Sequence, residues 1–305
     1  MLKHVVCDTG GSKTLLELID EKGEIIKSFS LEGFGLSVDS LKDIPVLTEI
    51  LSKIETPNKV KTVTVNLGGK NKEQIFNIFQ KVFVNAKINV FRESEALASK
   101  ALSEIYNSEV VVLAGTGAIS CGFLGDGTTA VCGGWGMNIG DQGSGYYIGM
   151  EAIKRSLIEL DAKEPLSLLA KTITGEEESI GSENDASKIA TTRDRVRAKI
   201  YPLTRENVAK YAKTVLACAE RNDRLSIEIL TDAGKELGKL AVATAKKLKA
   251  NKLNGIVFTG GVINSKKFIK DSIEEVIKES YGQVKIHYLT DGVIEGVRYI
   301  AKKTK

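Results

Sequence analysis

The amino-acid sequence predicts an α/β fold arranged in two lobes. Short apolar segments typical of buried strands alternate with longer segments that have the apolar spacing of amphipathic helices. A unit of apolar strand, Thr-Gly turn and second apolar strand occurs near the start and again about a hundred residues later, which indicates a duplication, although such units are common. The length of 305 residues suits two domains. We therefore expect two related lobes that each present a glycine turn to a shared cleft.

The first half of the chain is predicted to open with three strands and to continue with alternating helices and strands. The segments HVVCDT, TLLELID and IIKSFSL are typical of strands, and the turns GGSK and DEKGE join them. The later segments are predicted, in order, as the helix LKDIPVLTEILSKIE, the strand KTVTVNLGG, the helix KEQIFNIFQKVF, the strand AKINVFR and the helix ESEALASKALSEIY.

The second half repeats the strand pattern and then becomes helical. EVVVLAGTGAISCGFLGDGTTAVCGG predicts three strands joined by a Gly-Thr-Gly turn and an Asp-Gly hairpin turn. Residues 150–250 are predicted to be mostly helical, with a surface loop at TGEEESIGSENDASK. GIVFTGGVINSKKF predicts a buried strand, a glycine pair and a helix capped by Asn264 or Ser265. A last strand and helix, KIHYLTDGVIEGVRYIAKK, close the chain.

Composition argues against nucleic-acid and membrane partners. The 43 basic and 39 acidic residues leave a net charge of only +4, and the lysines are scattered or crowd polar helix faces. No apolar run approaches the roughly 20 residues of a membrane span, and the first residues enter a strand rather than a signal peptide. The four cysteines share no metal-ligand spacing, so reduced thiols and a cytoplasmic location are expected. The expected partners are a small-molecule substrate and a second copy of the chain, as a homodimer.

The histidine content limits the possible chemistry. Only His4 and His287 are present, and both lie in strand-like segments. A Ser-His-Asp hydrolase or a histidine-ligated metal centre needs one of them, whereas a strand residue near an edge or a core is the simpler interpretation. Chemistry must therefore rest on carboxylates, backbone amides and a hard metal ion.

Three glycine clusters at strand ends predict a phosphate site. They are Gly10-Gly11, Gly115-Thr116-Gly117 and Gly260-Gly261. Successive backbone N–H groups in such turns can point at one anion, and the missing side chains let a phosphate approach. A single cluster would be read as a tight turn. Further donors are expected from the side chains near these turns, namely Ser12, Lys13, Thr14, Thr116 and Asn264.

Asp8 lies beside the first cluster, where a bare carboxylate would repel a phosphate. Its presence is explained if it holds Mg²⁺, directly or through water, because that ion takes oxygen ligands and keeps several waters. Two common nucleotide signatures are absent. The chain has no G-x-x-x-x-G-K-[ST] motif, and GTGAIS lacks the third glycine of a dinucleotide fingerprint and continues into a strand.

These motifs resemble a known superfamily. DTGGSKT and LAGTGAIS are similar to the two phosphate loops of the actin, Hsp70 and sugar-kinase proteins, and VFTGGVINS is similar to their adenosine loop. Within it, GGWGMNIGDQGSGYYIG resembles the BadF/BadG/BcrA/BcrD ATPase family, in the branch that contains the N-acetylglucosamine kinases. The resemblance spans nearly the whole chain. It implies ATP and Mg²⁺ as cofactors and two ribonuclease-H-like lobes, residues 1–108 with a C-terminal helix at about 290–305, and residues 109–289.

The same resemblance implies a sugar pocket in the segment from Gly133 to Gly149. Asp141 would accept hydrogen bonds from sugar hydroxyls, since a carboxylate is a strong acceptor for vicinal hydroxyls. Gly134 and Trp135 would form a wall, although a lone tryptophan is as readily a core residue. Gly143, Ser144 and Gly145 would begin a helix. The remaining residues of the implied sugar site are Asp39, Asn66, Gly68, Gly115 and Thr116.

Two positions depart from the pattern that the resemblance implies. The catalytic base of the relatives is an Asp, and the matching residue here is Glu93, whose simpler interpretation is a helix-capping acid. Asp39 stands where N-acetylglucosamine kinases have a sugar-contacting Asn, so the pocket would favour an amine-bearing or differently substituted sugar. Glu93 and Asp8 are the predicted catalytic residues.

The predicted function is an ATP-dependent kinase for an amino sugar, such as N-acetylglucosamine, N-acetylmuramic acid or glucosamine. A regulatory protein that binds nucleotide and sugar without turnover is an alternative, which the change at Glu93 favours. An ATPase activator of a CoA-type dehydratase or reductase is another. Such activators hold an iron–sulfur cluster with a cysteine pair about thirty to forty residues apart. The gaps of 114, 11 and 86 residues between these cysteines do not offer that pair.

Overall fold

Two mixed β-sheets organise the protein. The computed structural model describes residues 2–9, 13–32, 44–67, 72–91, 94–290 and 293–303. The chain divides into a first unit, Met1–Val111 with Asp291–Lys305, and a second unit, Val112–Thr290.

The sheet of the first unit has five strands within the described residues, in the order β3-β2-β1-β4-β5. Its strands are β1 (Leu2–Thr9), β2 (Lys13–Asp20), β3 (Ile25–Glu32), β4 (Thr62–Leu67) and β5 (Lys87–Phe91). Strands β1, β2 and β3 form antiparallel pairs, whereas β4 pairs in parallel with both β1 and β5. The predicted opening hairpin and its third strand are confirmed.

The second sheet also has five strands in the described part of the chain, in the order β10-β9-β6-β7-β8. They are β6 (Val110–Ala114), β7 (Ala118–Phe123), β8 (Thr129–Gly133), β9 (Gly255–Thr259) and β10 (Lys285–Leu289). Counted from its own first strand, each sheet has the order third, second, first, fourth, fifth. The predicted relation between the two lobes is therefore confirmed at the level of topology.

Ten α-helices lie within the described residues. The first unit contains α1 (Ile44–Ser52), α2 (Lys72–Val82), α3 (Ser94–Tyr106) and α10 (Ile294–Lys303). The second contains α4 (Gly145–Asp161), α5 (Leu168–Thr174), α6 (Ala186–Ile200), α7 (Arg205–Glu220), α8 (Arg224–Lys247) and α9 (Lys266–Tyr281). The mostly helical stretch from 150 to 250 is confirmed, and the predicted surface loop is the largely exposed connection between α5 and α6. No described helix has the length and apolar character that a membrane crossing requires.

The core of the first unit follows from the period of two in β4. Val63 and Val65 point to one face of the sheet, where they are fully buried with Phe79 and Phe83 on the α2 side. α10 packs closely on α3. The approach is so close that a Cβ on Gly296 would come within 2.5 Å of the Ala98 carbonyl oxygen.

The second sheet has β6 as its central strand. Val110, Val111 and Val112 are all fully buried, so both faces of β6 are covered, as expected for a central strand. α8 contacts β7 and β8 and also packs along α9. At Gly234 the approach to α9 is so close that a Cβ would overlap the Ser272 hydroxyl.

One prediction about a helix start is confirmed only in its position. Ser265 is the N-cap residue of α9, but its side chain makes no capping hydrogen bond. A short 3₁₀ helix, Gly261–Ser265, runs directly into α9, and the Lys266 amide donates to the Ile263 carbonyl. The preceding turn thus supplies backbone acceptors for the first amides of α9, which a capping side chain would otherwise supply.

Candidate functional site

Two of the predicted glycine turns meet in the second unit. β6 and β9 are neighbours in the sheet, and Gly260 follows β9 directly. Gly260 has φ of 105°, and a Cβ there would come within 2.5 Å of the Ala114 carbonyl oxygen at the end of β6. Only glycine fits this contact and this backbone conformation. The turn after β6 and the turn after β9 are therefore fixed side by side.

The outer positions of these turns are open. Neither Gly115 nor Gly261 would bring a Cβ within 4 Å of another described atom. The Gly115 amide donates to the Gly117 carbonyl at 2.9 Å, which closes the turn after β6. The Asn264 side-chain amide donates to the Gly261 carbonyl at 3.0 Å and so stabilises the second turn. Open glycine backbone at the ends of neighbouring strands leaves room for a phosphate to approach, and the phosphate role of these turns stays a prediction.

The N-terminus of α4 fixes the turn after β6. The amides of Gly145 and Tyr146 donate to the carbonyls of Gly115 and Thr116 at 2.8 and 3.1 Å. Ser144 is the N-cap, and its hydroxyl accepts from the Tyr147 amide at 3.2 Å. The predicted helix start at Gly143 to Gly145 is confirmed. These first amides of α4 already have protein acceptors, so the helix supports the turn through its backbone.

Asp141 is buried beside the same turn. Its side chain accepts from Arg205 Nη2 at 2.8 Å and from the Ala118 amide at 3.3 Å, and the residue is only 3% exposed. A Cβ on Gly117 would come within 2.6 Å of Arg205 Nη2 and 2.8 Å of Asp141 Oδ1. The glycine at position 117 therefore makes room for this ion pair. Asp141 itself has φ of 63°, a left-handed conformation that Asp tolerates better than most residues.

Arg205 was not among the residues predicted from the sequence. It is the first residue of α7, directly after the N-cap Thr204, and lies 64 positions from Asp141. No local motif connects the two positions. Only a general rule could have suggested the pair, namely that a buried carboxylate requires a cation as its partner.

Close packing within the protein requires several of the glycines in the segment from Gly133 to Gly149. A Cβ on Gly134 would meet the Ile119 side chain at 2.9 Å, and one on Gly143 would meet Leu237 at 2.7 Å. A Cβ on Gly149 would overlap the Val208 carbonyl, so α4 and α7 touch through their backbones. Close packing thus accounts for these glycines without a ligand. Their roles in sugar binding stay predictions.

Trp135 is not a core residue. It is 73% exposed, so the alternative that this lone tryptophan serves the core is wrong. Met137 and Ile139, on the same segment, are also exposed. An exposed indole is available to stack on a polar ring, as the predicted sugar-site wall requires.

The first unit brings together two predicted residues at the ends of β1 and β4. The Asn66 side-chain amide donates to Asp8 Oδ1, and the Thr9 hydroxyl donates to the Asn66 carbonyl at 2.8 Å. Thr14 is fully buried and pairs with Thr9 across the hairpin. The Asn66 amide therefore holds the Asp8 carboxylate in a partly buried position at the end of β1.

Six of the predicted site residues lie outside the described residues. They are Glu93, Asp39, Gly68, Gly10, Gly11 and Ser12. Lys13 is the first residue of β2, but the structure does not describe its side chain. The base, the first phosphate loop and part of the sugar site remain predictions from the sequence.

Burial governs the ionisation of one cysteine and of both histidines. Burial raises the pKa of the Cys7 thiol far above its usual range, with a further contribution from Asp8, so Cys7 stays a protonated core residue. Burial lowers the pKa of His4 and of His287, which lie in β1 and β10. Among the described residues, no group of three or more His, Cys, Asp or Glu side chains could hold a metal ion.

The fold and these turns define the class as the actin-like, two-lobed α/β proteins. A solved structure with this fold, a candidate N-acetylglucosamine kinase from Porphyromonas gingivalis, superposes with a TM-score of 0.71 at 16% identity over 100% of both chains. The chain belongs to the BadF/BadG/BcrA/BcrD ATPase family, whose model matches residues 7–297. The resemblance drawn from the motifs is thereby confirmed.

Two curated relatives match over nearly their full length. The N-acetylmuramic acid/N-acetylglucosamine kinase of Clostridium acetobutylicum is 26% identical, with 99% of both chains covered. The N-acetyl-D-glucosamine kinase of Dictyostelium discoideum is also 26% identical, with 98% of this chain and 97% of the relative covered. Both relatives are amino-sugar kinases.

Proposed function

We propose that this protein is an ATP-dependent kinase that phosphorylates an amino sugar, N-acetylglucosamine, N-acetylmuramic acid or glucosamine. The observation that carries the proposal is the meeting of the turns after β6 and β9 beside the buried carboxylate of Asp141. Two open glycine turns suit a nucleotide, and a fixed carboxylate suits a polyol. Membership in an ATPase family and the full-length match to two amino-sugar kinases support the same reaction.

In the proposed reaction a sugar hydroxyl attacks the γ-phosphorus of ATP. The new O–P bond forms as the bond to the β-phosphate breaks, ADP leaves, and the hydroxyl proton passes to a carboxylate, for which Glu93 is the predicted acceptor. Such transfer depends mainly on positioning and charge stabilisation. The turns Gly115–Gly117 and Gly260–Gly261 hold the nucleotide, and Asp141 orients the sugar.

Asp8 is proposed to hold Mg²⁺. The site offers one carboxylate, kept in place by Asn66, and this donor set fits an ion that takes most of its ligands from water and phosphate oxygens. When bound, Mg²⁺ would neutralise charge on the phosphates. Asp8→Asn is expected to lose most turnover while nucleotide binding and folding remain, because the amide keeps the size of the side chain.

A coupled ADP-release assay tests the proposal. The purified protein, with ATP and Mg²⁺, is given N-acetylglucosamine, N-acetylmuramic acid, glucosamine and glucose in turn. At least one amino sugar should raise ADP release well above the rate without sugar, and Asp8→Asn should abolish that increase. Arg195→Gln is the matched control and should behave as wild type, because it removes only an ion pair between Arg195 on α6 and Glu176 in the connection that precedes this helix. Sugar binding without any ADP release would establish the regulatory alternative instead.

The activator alternative is poorly supported by the cysteines. Cys7, Cys121 and Cys218 are buried, and all four cysteines are free thiols. A cluster shared between subunits needs exposed cysteines at the interface. A cytoplasmic location and a homodimer are part of the proposal, and light scattering during gel filtration would measure the latter.

A further inference from the structure

Arg205 is the one cation that contacts Asp141 among the described residues, and this pair lies against the turn after β6. The Asp141 side chain is 2% exposed and that of Arg205 is 35% exposed. The absence of a side chain at Gly117 lets both groups touch the turn. The turn therefore has a carboxylate and a guanidinium as its immediate neighbours.

An unpaired carboxylate at this position would work against nucleotide binding. Asp141 Oδ1 lies within 2.8 Å of where a Cβ of Gly117 would be, so the carboxylate is adjacent to the turn that is proposed to hold the phosphates. Like charges in a partly buried site repel strongly, since water screens them poorly there. A carboxylate at this position is therefore compatible with a bound phosphate only if its charge is compensated locally.

We propose that Arg205 is a positioning residue that neutralises Asp141, so that the turn after β6 can accept the phosphates of ATP. The guanidinium holds Asp141 Oδ2 through Nη2 at 2.8 Å, while Oδ1 accepts from the Ala118 amide. The pair as a whole is neutral, and the carboxylate keeps acceptor capacity for another ligand. This inference rests on ATP binding and is independent of the identity of the sugar.

A second feature of Arg205 agrees with a role at a binding site. Its Nε atom is buried, and within the described part of the chain it donates to no acceptor. Buried N–H groups without partners are uncommon in folded proteins and call for an explanation. A guanidinium whose purpose were only to anchor α7 would be expected to use its full set of donors.

Three variants, compared with the wild type, change the net charge of the pair in single steps. Relative to the neutral pair of the wild type, Arg205→Gln leaves one negative charge, Asp141→Asn leaves one positive charge, and the double variant is neutral again. One unit charge at roughly 6–8 Å with an effective dielectric constant of about 20 changes an affinity by about 30- to 100-fold. Salt and Mg²⁺ reduce this effect, so a change of about 10-fold or more is expected.

The experiment compares the dissociation constants of ATP and adenosine by calorimetry for each variant. Arg205→Gln should weaken ATP about 10-fold or more and leave adenosine unchanged, because adenosine carries no phosphate. Asp141→Asn should lower the dissociation constant of ATP, and the double variant should return it to the wild-type value. Arg205→Lys should bind ATP within about threefold of wild type, because it keeps the positive charge. Arg195→Gln is the control and should change neither ligand.

Two results would overturn the inference. If ATP and adenosine weaken together in Arg205→Gln, the residue has a structural role only. If the double variant binds ATP as weakly as Arg205→Gln, charge is not the cause. If Arg205→Gln fails to fold, Asp141→Asn alone still tests the inference. Unchanged or weaker ATP binding by Asp141→Asn would contradict it. All of these outcomes concern nucleotide binding, so they remain distinguishable from a failure to phosphorylate any sugar.

Discussion

Replacing Arg298 with methionine is expected to destabilise the first unit by about 3–5 kcal/mol. Arg298, on α10, donates from Nε and Nη2 to the two carboxylate oxygens of Glu17 on β2, both at 2.6 Å. The Glu17 side chain is only 3% exposed. Methionine keeps the apolar stem of the arginine but removes the guanidinium, so an uncompensated carboxylate remains in the core.

A double variant separates the cost of the buried charge from the loss of the contact itself. Glu17→Met/Arg298→Met removes both charges and should recover most of the lost stability, because a buried ion pair is often no better than an apolar pair of similar size. Lys303→Met is the matched control. It removes an exposed 2.9 Å pair between the same helix and Glu104, and should change stability by less than about 1 kcal/mol.

Urea unfolding followed by far-ultraviolet circular dichroism measures these differences. The free energy of unfolding should fall in the order wild type, double variant, Arg298→Met, with the control close to wild type. If Arg298→Met lies within about 1 kcal/mol of wild type, water must reach Glu17 and the burial argument is refuted. If the double variant is as unstable as Arg298→Met, the lost packing and not the charge is responsible.

Three further predictions concern packing, pH and catalysis. Gly149→Ala should destabilise by several kcal/mol in urea, because the new methyl overlaps the Val208 carbonyl, whereas Gly125→Ala meets nothing within 4 Å and should be near neutral. Burial lowers the pKa of His4 below its unfolded value of about 6.5, so the unfolded state binds more protons. The free energy of unfolding should therefore fall as the pH drops below about 6.5, and His4→Gln should reduce this dependence on pH. Glu93→Gln should lower kcat about 10²–10⁴-fold with little change in the sugar KM, and Glu93→Asp should retain activity; full activity in Glu93→Gln would assign the residue to helix capping.

The elements of the fold could be predicted from the sequence because their signals are local. The alternation in β4 and the apolar spacing of α2 are each formed by residues that lie only a few positions apart in the sequence. The Thr-Gly turns marked the two related sheets for the same reason. The start of α9 was harder, since a 3₁₀ turn and a capping side chain satisfy the same helical amides and Asn264 suits either.

The candidate site was only partly predictable. Gly115, Gly117, Gly260 and Asp141 carried a local signal, because dense glycine and a lone acid are unusual in themselves. Arg205 carried none, since an arginine at the start of a helix is ordinary and its partner is 64 positions away. The close packing at the glycines of α4 was equally hidden, because it depends on which helices become neighbours.

The exposed position of Trp135 gives the protein a built-in optical probe. It is the only tryptophan in the chain, so excitation at the red edge of the absorption band reports on the segment from Gly133 to Gly149 alone. An indole that is 73% exposed emits at long wavelength, and a ligand that covers it moves the emission to shorter wavelength. Titrations with sugars and nucleotides can therefore be followed on the unlabelled protein, with each ligand assigned by whether it reaches this segment.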